Sequence, residues 1–186
     1  MKEKLTEKTI RHYTEAQLKG STGALNSMFE VAVRRAVYRG KQEIEFTTAS
    51  GKVDMRVGRS CWIEIKSCCS EVGYDDAPLM MIERAKYVLY TPELPPRNVI
   101  ENDALSCLEC CYLFTSEQFI EVLKAMHKGG TEPHIKRNSN GHWNIQTLAT
   151  RMKNGNWTTK PLDRFYDFCE ENNIPTATLE LIDSLR

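Results

Sequence analysis

Residues 52–67 constrain this chain more than any other stretch. Lys52 to Val57 alternates, with Val53, Met55 and Val57 on one side and Asp54 and Arg56 on the other. Gly58-Arg59 turns the chain, and Cys61 to Ser67 alternates again, setting Cys61, Ile63 and Ile65 against Trp62, Glu64 and Lys66. A period of two marks strands with one face on a core. Glu43 to Thr47 alternates too, and Ser50-Gly51 reads as a tight turn, so three short strands are expected as an antiparallel meander.

The flanks read as helices and further strands. From Ala24 to Tyr38, Leu25, Met28, Phe29, Ala32, Val33, Ala36 and Val37 recur at spacings of three and four, the stripe of an amphipathic helix. Gly40 is its expected stop. Residues 1–20 carry a weaker helical pattern. Asp75 to Ala85 is expected to be helical with Pro78 near its start, and Tyr87-Val88-Leu89-Tyr90 to be a buried strand. Pro92, Pro95 and Pro96 enforce a loop. Ala104 to Phe114 reads as another buried apolar strand. Thr115-Ser116-Glu117 opens a helix with Ser116 as N-cap and Phe119, Ile120, Val122, Leu123 and Met126 inward. After 160, Leu162, Phe165, Tyr166 and Phe168 keep a helical pattern in an acidic tail. No internal repeat is read. The expected fold is α/β, a central mixed sheet of four or five strands flanked by helices, with a C-terminal extension. The expected division is a core over 1–128, N-terminal helices included, and an extension over 129–186 packed on it.

With 25 basic and 25 acidic residues among 186, no global field steers a partner, so an anion-binding surface must be local. One stretch qualifies. Residues 129–160 hold Lys136, Arg137, Arg151, Lys153 and Lys160 against the single acid Glu132, with Trp143 and Trp157 among them. Lys and Arg meet phosphate and Trp stacks on bases, so Lys136, Arg137, Trp143, Arg151 and Lys153 are candidate nucleic-acid contacts. The alternative is a solvated loop balancing the acidic tail, with the tryptophans in a core. Arg34, Arg35 and Arg56 are further candidates. For the cations that close the first helix, a favourable helix-dipole charge serves equally well.

Seven cysteines without an apolar leader behind the charged start Met1–Lys8 suggest reduced thiols in a cytoplasmic protein, and no segment has the length of a membrane span. Cys107-x-x-Cys110 is a single element where a zinc site needs two, and its run reads as a strand whose cysteines alternate faces. His134 and His142 read as surface loop residues.

The chemistry lies in Asp54 and, ten residues on, Glu64-Ile65-Lys66. A hairpin brings Asp54 beside Glu64, and strand parity puts Glu64 and Lys66 on one face. Two carboxylates suit Mg²⁺, with the Ile65 backbone carbonyl as a further candidate ligand. A nearby lysine orients an attacking water or neutralises developing charge. The plain alternative is an exposed strand face with a Glu–Lys pair, which stabilises little.

Helix with Glu30, strand with Asp54, strand with Glu64-x-Lys66, then helix and strand resembles the PD-(D/E)XK nuclease superfamily over roughly residues 24–128. Val53 stands where many members carry proline, and no glutamine of a Gln-x-x-x-Tyr signature occurs between Asp75 and Tyr87. The resemblance implies a restriction endonuclease-like fold and metal-dependent phosphodiester hydrolysis, with DNA the expected substrate. It implies Asp54 and Glu64 as ligands of Mg²⁺, for which Mn²⁺ substitutes, Lys66 as the water-positioning lysine, and Glu30 as an accessory ligand or orienter. Nucleases that cut both strands often pair two sites, so a homodimer is a matching expectation. The competing expectation is a non-catalytic nucleic-acid- or protein-binding module on the same fold.

Overall fold

The computed structural model describes residues 22–38, 53–67, 71–72, 85–126, 135–137, 143–145, 150–151, 157–158 and 160–186. The expected strand at 43–47, the turn at 50–51, the helical patterns over 1–20 and 75–84, and Lys153, His134 and His142 lie outside them.

The apolar stripe after Gly23 forms helix α1, Thr22–Val37. Its inward side chains Phe29, Ala32 and Val33 are buried. Tyr38 follows, and its hydroxyl donates to the Arg56 carbonyl (2.7 Å) and accepts from the Arg56 N–H (3.1 Å). That pair of bonds ties the helix end to the hairpin of β1 (Met55–Val57) and β2 (Cys61–Ser67). The hairpin is antiparallel, pairing Met55 with Ile63, Arg56 with Trp62 and Val57 with Cys61. Its turn needs Gly58 twice over. The φ of 64° is left-handed, and a Cβ there would stand 3.1 Å from the backbone of Arg186.

β2 also pairs, in parallel, with β4 (Tyr87–Thr91), from Ile63 opposite Tyr87 to Ser67 opposite Thr91. Parallel neighbours need a crossover of a dozen or more residues, and 68–86 supply it. Within that crossover is the short β3, Glu71–Val72. β5 (Tyr112–Thr115) closes the sheet antiparallel to β4, giving the order β1-β2-β4-β5. The four-stranded sheet is therefore mixed and open, and the fold is α/β.

Between β4 and β5 the sequence expectation fails. The apolar run Ala104 to Phe114 is no continuous strand. After the prolines come α2 (Arg97–Asn102) and α3 (Ala104–Glu109), and only Tyr112–Thr115 is extended. Apolar runs alone do not separate helix from strand. Asp103 decides, because its carboxylate accepts from the Ser106 N–H (3.1 Å) and hydroxyl (2.7 Å), an N-cap that starts a helix. The cysteines therefore do not alternate across a strand. Cys107 and Cys111 are buried, and the Cys110 and Cys111 thiols both donate to the Cys107 carbonyl. All five described cysteines are free thiols.

The next helix, α4, runs Ser116–Met126, but its cap is Thr115 and not Ser116. The Thr115 hydroxyl accepts from the Gln118 N–H (3.2 Å) while the Gln118 side chain accepts from the Thr115 N–H (2.9 Å), a reciprocal capping box. Ser116 donates instead to the Ala85 carbonyl and is buried. Two adjacent hydroxyls compete for the cap, and the strand pairing of β5 selects the first.

Residues 129–160, to which the sequence pattern assigned no strands, hold four short ones among their described residues. β6 (Ile135–Arg137) pairs antiparallel with β7 (Trp143–Ile145), which also pairs with β3. β8 (Thr150–Arg151) pairs with β9 (Trp157–Thr158). The chain then forms α5 (Lys160–Glu171) and α6 (Leu179–Ser184), the latter capped by Thr178.

Apolar side chains gather on the two faces of the sheet. One cluster joins Ile63, Ile65, Leu89 and Leu113 to α1, α2, α3 and, through Ile182, α6. The other joins Val88, Tyr90 and Phe114 to Phe119, Val122 and Leu123 of α4 and to Phe165 of α5. Phe165 stands 5.4 Å from the Tyr90 ring, a tilted aromatic contact that adds to its burial. Between α5 and α6, Pro175 accepts from the Leu113 N–H, the Ala177 N–H donates to Cys111, and Thr176 bridges to Tyr112, so the outer edge of β5 is covered. No helix among the described residues is long and apolar enough to cross a membrane.

Candidate active site

β1 leaves the sheet at Met55, before β2 is fully covered. Continuing the register would set Asp54 opposite Glu64, but Asp54 is already in a bend. Its side chain replaces the missing strand. Asp54 Oδ2 accepts from the Ile65 N–H at 2.7 Å, and the Asp54 N–H donates to Glu64 Oε2 at 3.2 Å. Both groups would otherwise be orphaned at a sheet edge. Glu64 and Lys66, two apart on β2, meet as parity requires, with Lys66 Nζ donating to Glu64 Oε1 at 2.5 Å.

The third wall is α1. Asn26, Glu30 and Arg34, each four residues apart, form one ridge of the helix. At one end Asn26 accepts from the Ser67 hydroxyl and donates to Glu30 Oε1 at 2.8 Å. At the other, Arg34 Nη2 lies 2.9 Å from Asp54 Oδ1. The helix thus runs past the end of β2 with Glu30 held between its two anchors.

Three carboxylates and two cations share this space. Glu64 and Lys66 are only 2% and 7% exposed. Burial raises the Glu30 carboxyl to about 7, with Asp54 adding to the shift and Lys66 and Arg34 opposing it. Burial also raises Glu64 to about 7, against the pull of Lys66. For Lys66, burial lowers the affinity for its proton, but Glu64, Asp54 and Glu30 outweigh it and the ammonium is held well above its usual range. The cluster carries one more acid than base, all with hard oxygen donors, so its chemistry fits a divalent cation such as Mg²⁺. As the side chains stand, both oxygens of Asp54 and of Glu64 accept from protein donors. Among the described residues no three Asp, Glu, His or Cys side chains are already spaced to hold an ion.

The structure brings Asp54, Glu64, Lys66 and Glu30 together and adds two residues. Arg34, read from sequence as a phosphate contact beside the site, stands inside it on Asp54. Asn26 had no place in the sequence reading, although its spacing of four from Glu30 was visible. Ile65 meets Asp54 through its N–H. The other candidate contacts among the described residues lie on other elements or faces. Arg35 is exposed and lines a depression of about 280 Å³ with Ala36, Asn102 and Leu179. Arg56 lies over the Trp62 ring at 5.5 Å. Lys136 and Arg137 are on β6, Trp143 on β7 and Arg151 on β8. Comparisons with models of protein families, with curated proteins and with solved structures find no match to this chain.

Proposed function

We propose that the protein is a metal-dependent nuclease acting on DNA, with a restriction endonuclease-like fold. The observation that carries this reading is the convergence of Asp54, Glu64, Lys66 and Glu30 in one buried cluster, on elements that follow the superfamily order. The hairpin β1/β2 and the parallel step from β2 to β4 support the same reading. Asp54 and Glu64 would hold Mg²⁺ or Mn²⁺, with Glu30 as accessory ligand or orienter. The bound ion would supply charge stabilisation at the phosphate and a water of lowered pKa. Lys66 orients the attacking water and neutralises charge as the P–O ester bond breaks. Asn26 holds Glu30, and the Ile65 N–H holds Asp54, so the carboxylates are fixed before substrate arrives.

The test is cleavage of plasmid and oligonucleotide DNA with Mg²⁺ or Mn²⁺, stopped by EDTA. Lys66→Ala is expected to lower the rate by about 10²–10³-fold, the size seen when one charge-stabilising donor is removed. A parent protein that cuts no nucleic acid under any of these metals sinks the reading. One observation favours a second reading, a non-catalytic nucleic-acid- or protein-binding module. Every oxygen of Asp54 and Glu64 already has a protein donor, so the cluster also works as a closed ion-pair network.

A further inference from the structure

All three tryptophans of the chain stand directly across an antiparallel pair from an arginine: Arg56 from Trp62, Arg137 from Trp143, Arg151 from Trp157. Two of these pairs belong to a repeat that the sequence reading missed. Arg137-Asn138-Ser139-Asn140-Gly141-His142-Trp143 and Arg151-Met152-Lys153-Asn154-Gly155-Asn156-Trp157 share the pattern Arg-x-x-Asn-Gly-x-Trp, fourteen residues apart. Asn-Gly is a strong hairpin-turn signal, and the flanking strands pair as hairpins in both copies. Residues directly opposite on antiparallel strands share a face. Each copy therefore sets one guanidinium-bearing and one indole-bearing residue side by side. Both lie in the stretch whose charge is almost wholly basic.

We propose that the two hairpins are a tandem grip for single-stranded DNA, with Arg137 and Arg151 on phosphates and Trp143 and Trp157 stacked on unpaired bases. Two cation–indole units of the same sequence spacing suit a polymer that presents a phosphate and a base at every repeat. Arg56 and Trp62, the third such pair, are half-buried in the core hairpin with the guanidinium over the indole. The proposal shares its partner with the nuclease reading but does not depend on cleavage. It is tested on the full chain in EDTA, which withholds the metal that cleavage would need, with labelled oligo-dT and the matching duplex. Binding is expected to favour the single strand and to quench tryptophan fluorescence. Trp143→Ala and Trp157→Ala should each weaken it roughly fivefold or more. Arg137→Ala and Arg151→Ala should each lower the salt slope by about 1, and Trp→Phe should keep most of the affinity. No binding, saturable binding without quenching, or unchanged affinity in both folded Trp→Ala variants overturns the grip. Binding by the hairpins in a parent that never cleaves overturns the nuclease reading alone.

A separate observation concerns Arg34. Its guanidinium occupies Asp54 Oδ1 in a pair only 12% and 16% exposed, on the carboxylate that the nuclease reading assigns to the metal. Resting on that reading, we infer that Arg34 is a stand-in cation: it neutralises Asp54 until a divalent ion takes its place. An ionised carboxylate this far from water is held by a compensating charge, and two cations on one oxygen repel. The expected signature is competition. Mn²⁺ binding, followed by electron paramagnetic resonance, should be at least about tenfold tighter in Arg34→Met than in the parent, and should be lost in Asp54→Asn. Unchanged or weaker binding in Arg34→Met, with loss in Asp54→Asn, overturns the role of Arg34. Full binding in Asp54→Asn overturns the ligand assignment instead. Should Arg34→Met fail to fold, the parent still decides: the Arg34 guanidinium ¹⁵N signal must move on saturation with Mg²⁺, and an unmoved signal overturns the inference.

Discussion

Alternate residues of β2 are buried to similar extents and have opposite chemistry. Ile63 and Ile65 disappear into the apolar cluster under α1, while Glu64 and Lys66 are nearly as inaccessible and are ionisable. For the isoleucines, burial is itself the stabilising term, about 1.5–3 kcal/mol for each side chain. For the ion pair, desolvation offsets much of the attraction, and apolar residues of similar size would often serve stability as well or better. A fold needing only a sheet would gain nothing from Glu64 and Lys66. Their presence, with Glu30 and Asp54 brought to the same spot, is what the proposed metal site would require and what apolar packing alone would not.

That contrast can be broken by substitution. Lys66→Met alone should destabilise by about 3–5 kcal/mol, because it leaves Glu64 buried without its partner. Glu64→Leu with Lys66→Met should restore or exceed parental stability in urea unfolding while abolishing any metal-dependent cleavage. A double variant as unstable as the single one would mean that the pair is a structural requirement. On the other parity, Ile65→Ala should cost about 2–5 kcal/mol whatever the partner residues, through lost burial and a cavity.

The second difference is in pH response, where the apolar parity contributes nothing. Glu30 and Glu64 hold their protons up to about 7 when folded, against an ordinary 4.5. Between those values the folded chain binds more protons than the unfolded one, so stability falls as pH rises through that window. Metal-free protein should therefore melt at a higher temperature near pH 5 than near pH 7, and Glu30→Gln should flatten the slope. A slope of the opposite sign would mean that these carboxyls are ionised throughout.

The smallest expected effect tests a local signal far from the ion pair. Thr115→Ala removes one half of the α4 capping box and should cost about 1 kcal/mol, whereas Ser116→Ala acts through the bond to Ala85. Equal losses with unchanged α4 helicity would count against Thr115 as the cap.

Legibility in the sequence followed the range of the interaction. The alternation of 52–67 announced the hairpin, its parity and the meeting of Glu64 with Lys66, because strand geometry is local. The spacing of Leu25 to Val37 announced α1 for the same reason. Ala104 to Phe114 misled because its apolar content outweighed the shorter Asp103-x-x-Ser106 signal. The Arg-x-x-Asn-Gly-x-Trp repeat was present in the letters, but only the strand registers made arginine and tryptophan neighbours.

Local pattern alone thus specified which side chains share a face of β2 and of α1, and hence that Glu64 and Lys66 meet, whereas Asp54 reaches them from a bend before β1. Local pattern could not specify that α1 passes the open end of β2, because that depends on the two apolar clusters packing against both faces of the sheet. Nor could it place residues 160–186 on both faces, with 175–177 along the edge of β5. Those placements minimise exposed apolar surface over the whole chain, and they carry Glu30 and Arg34 to the carboxylates. A cluster whose members lie up to about forty positions apart in sequence owes its chemistry to residue type and its existence to packing.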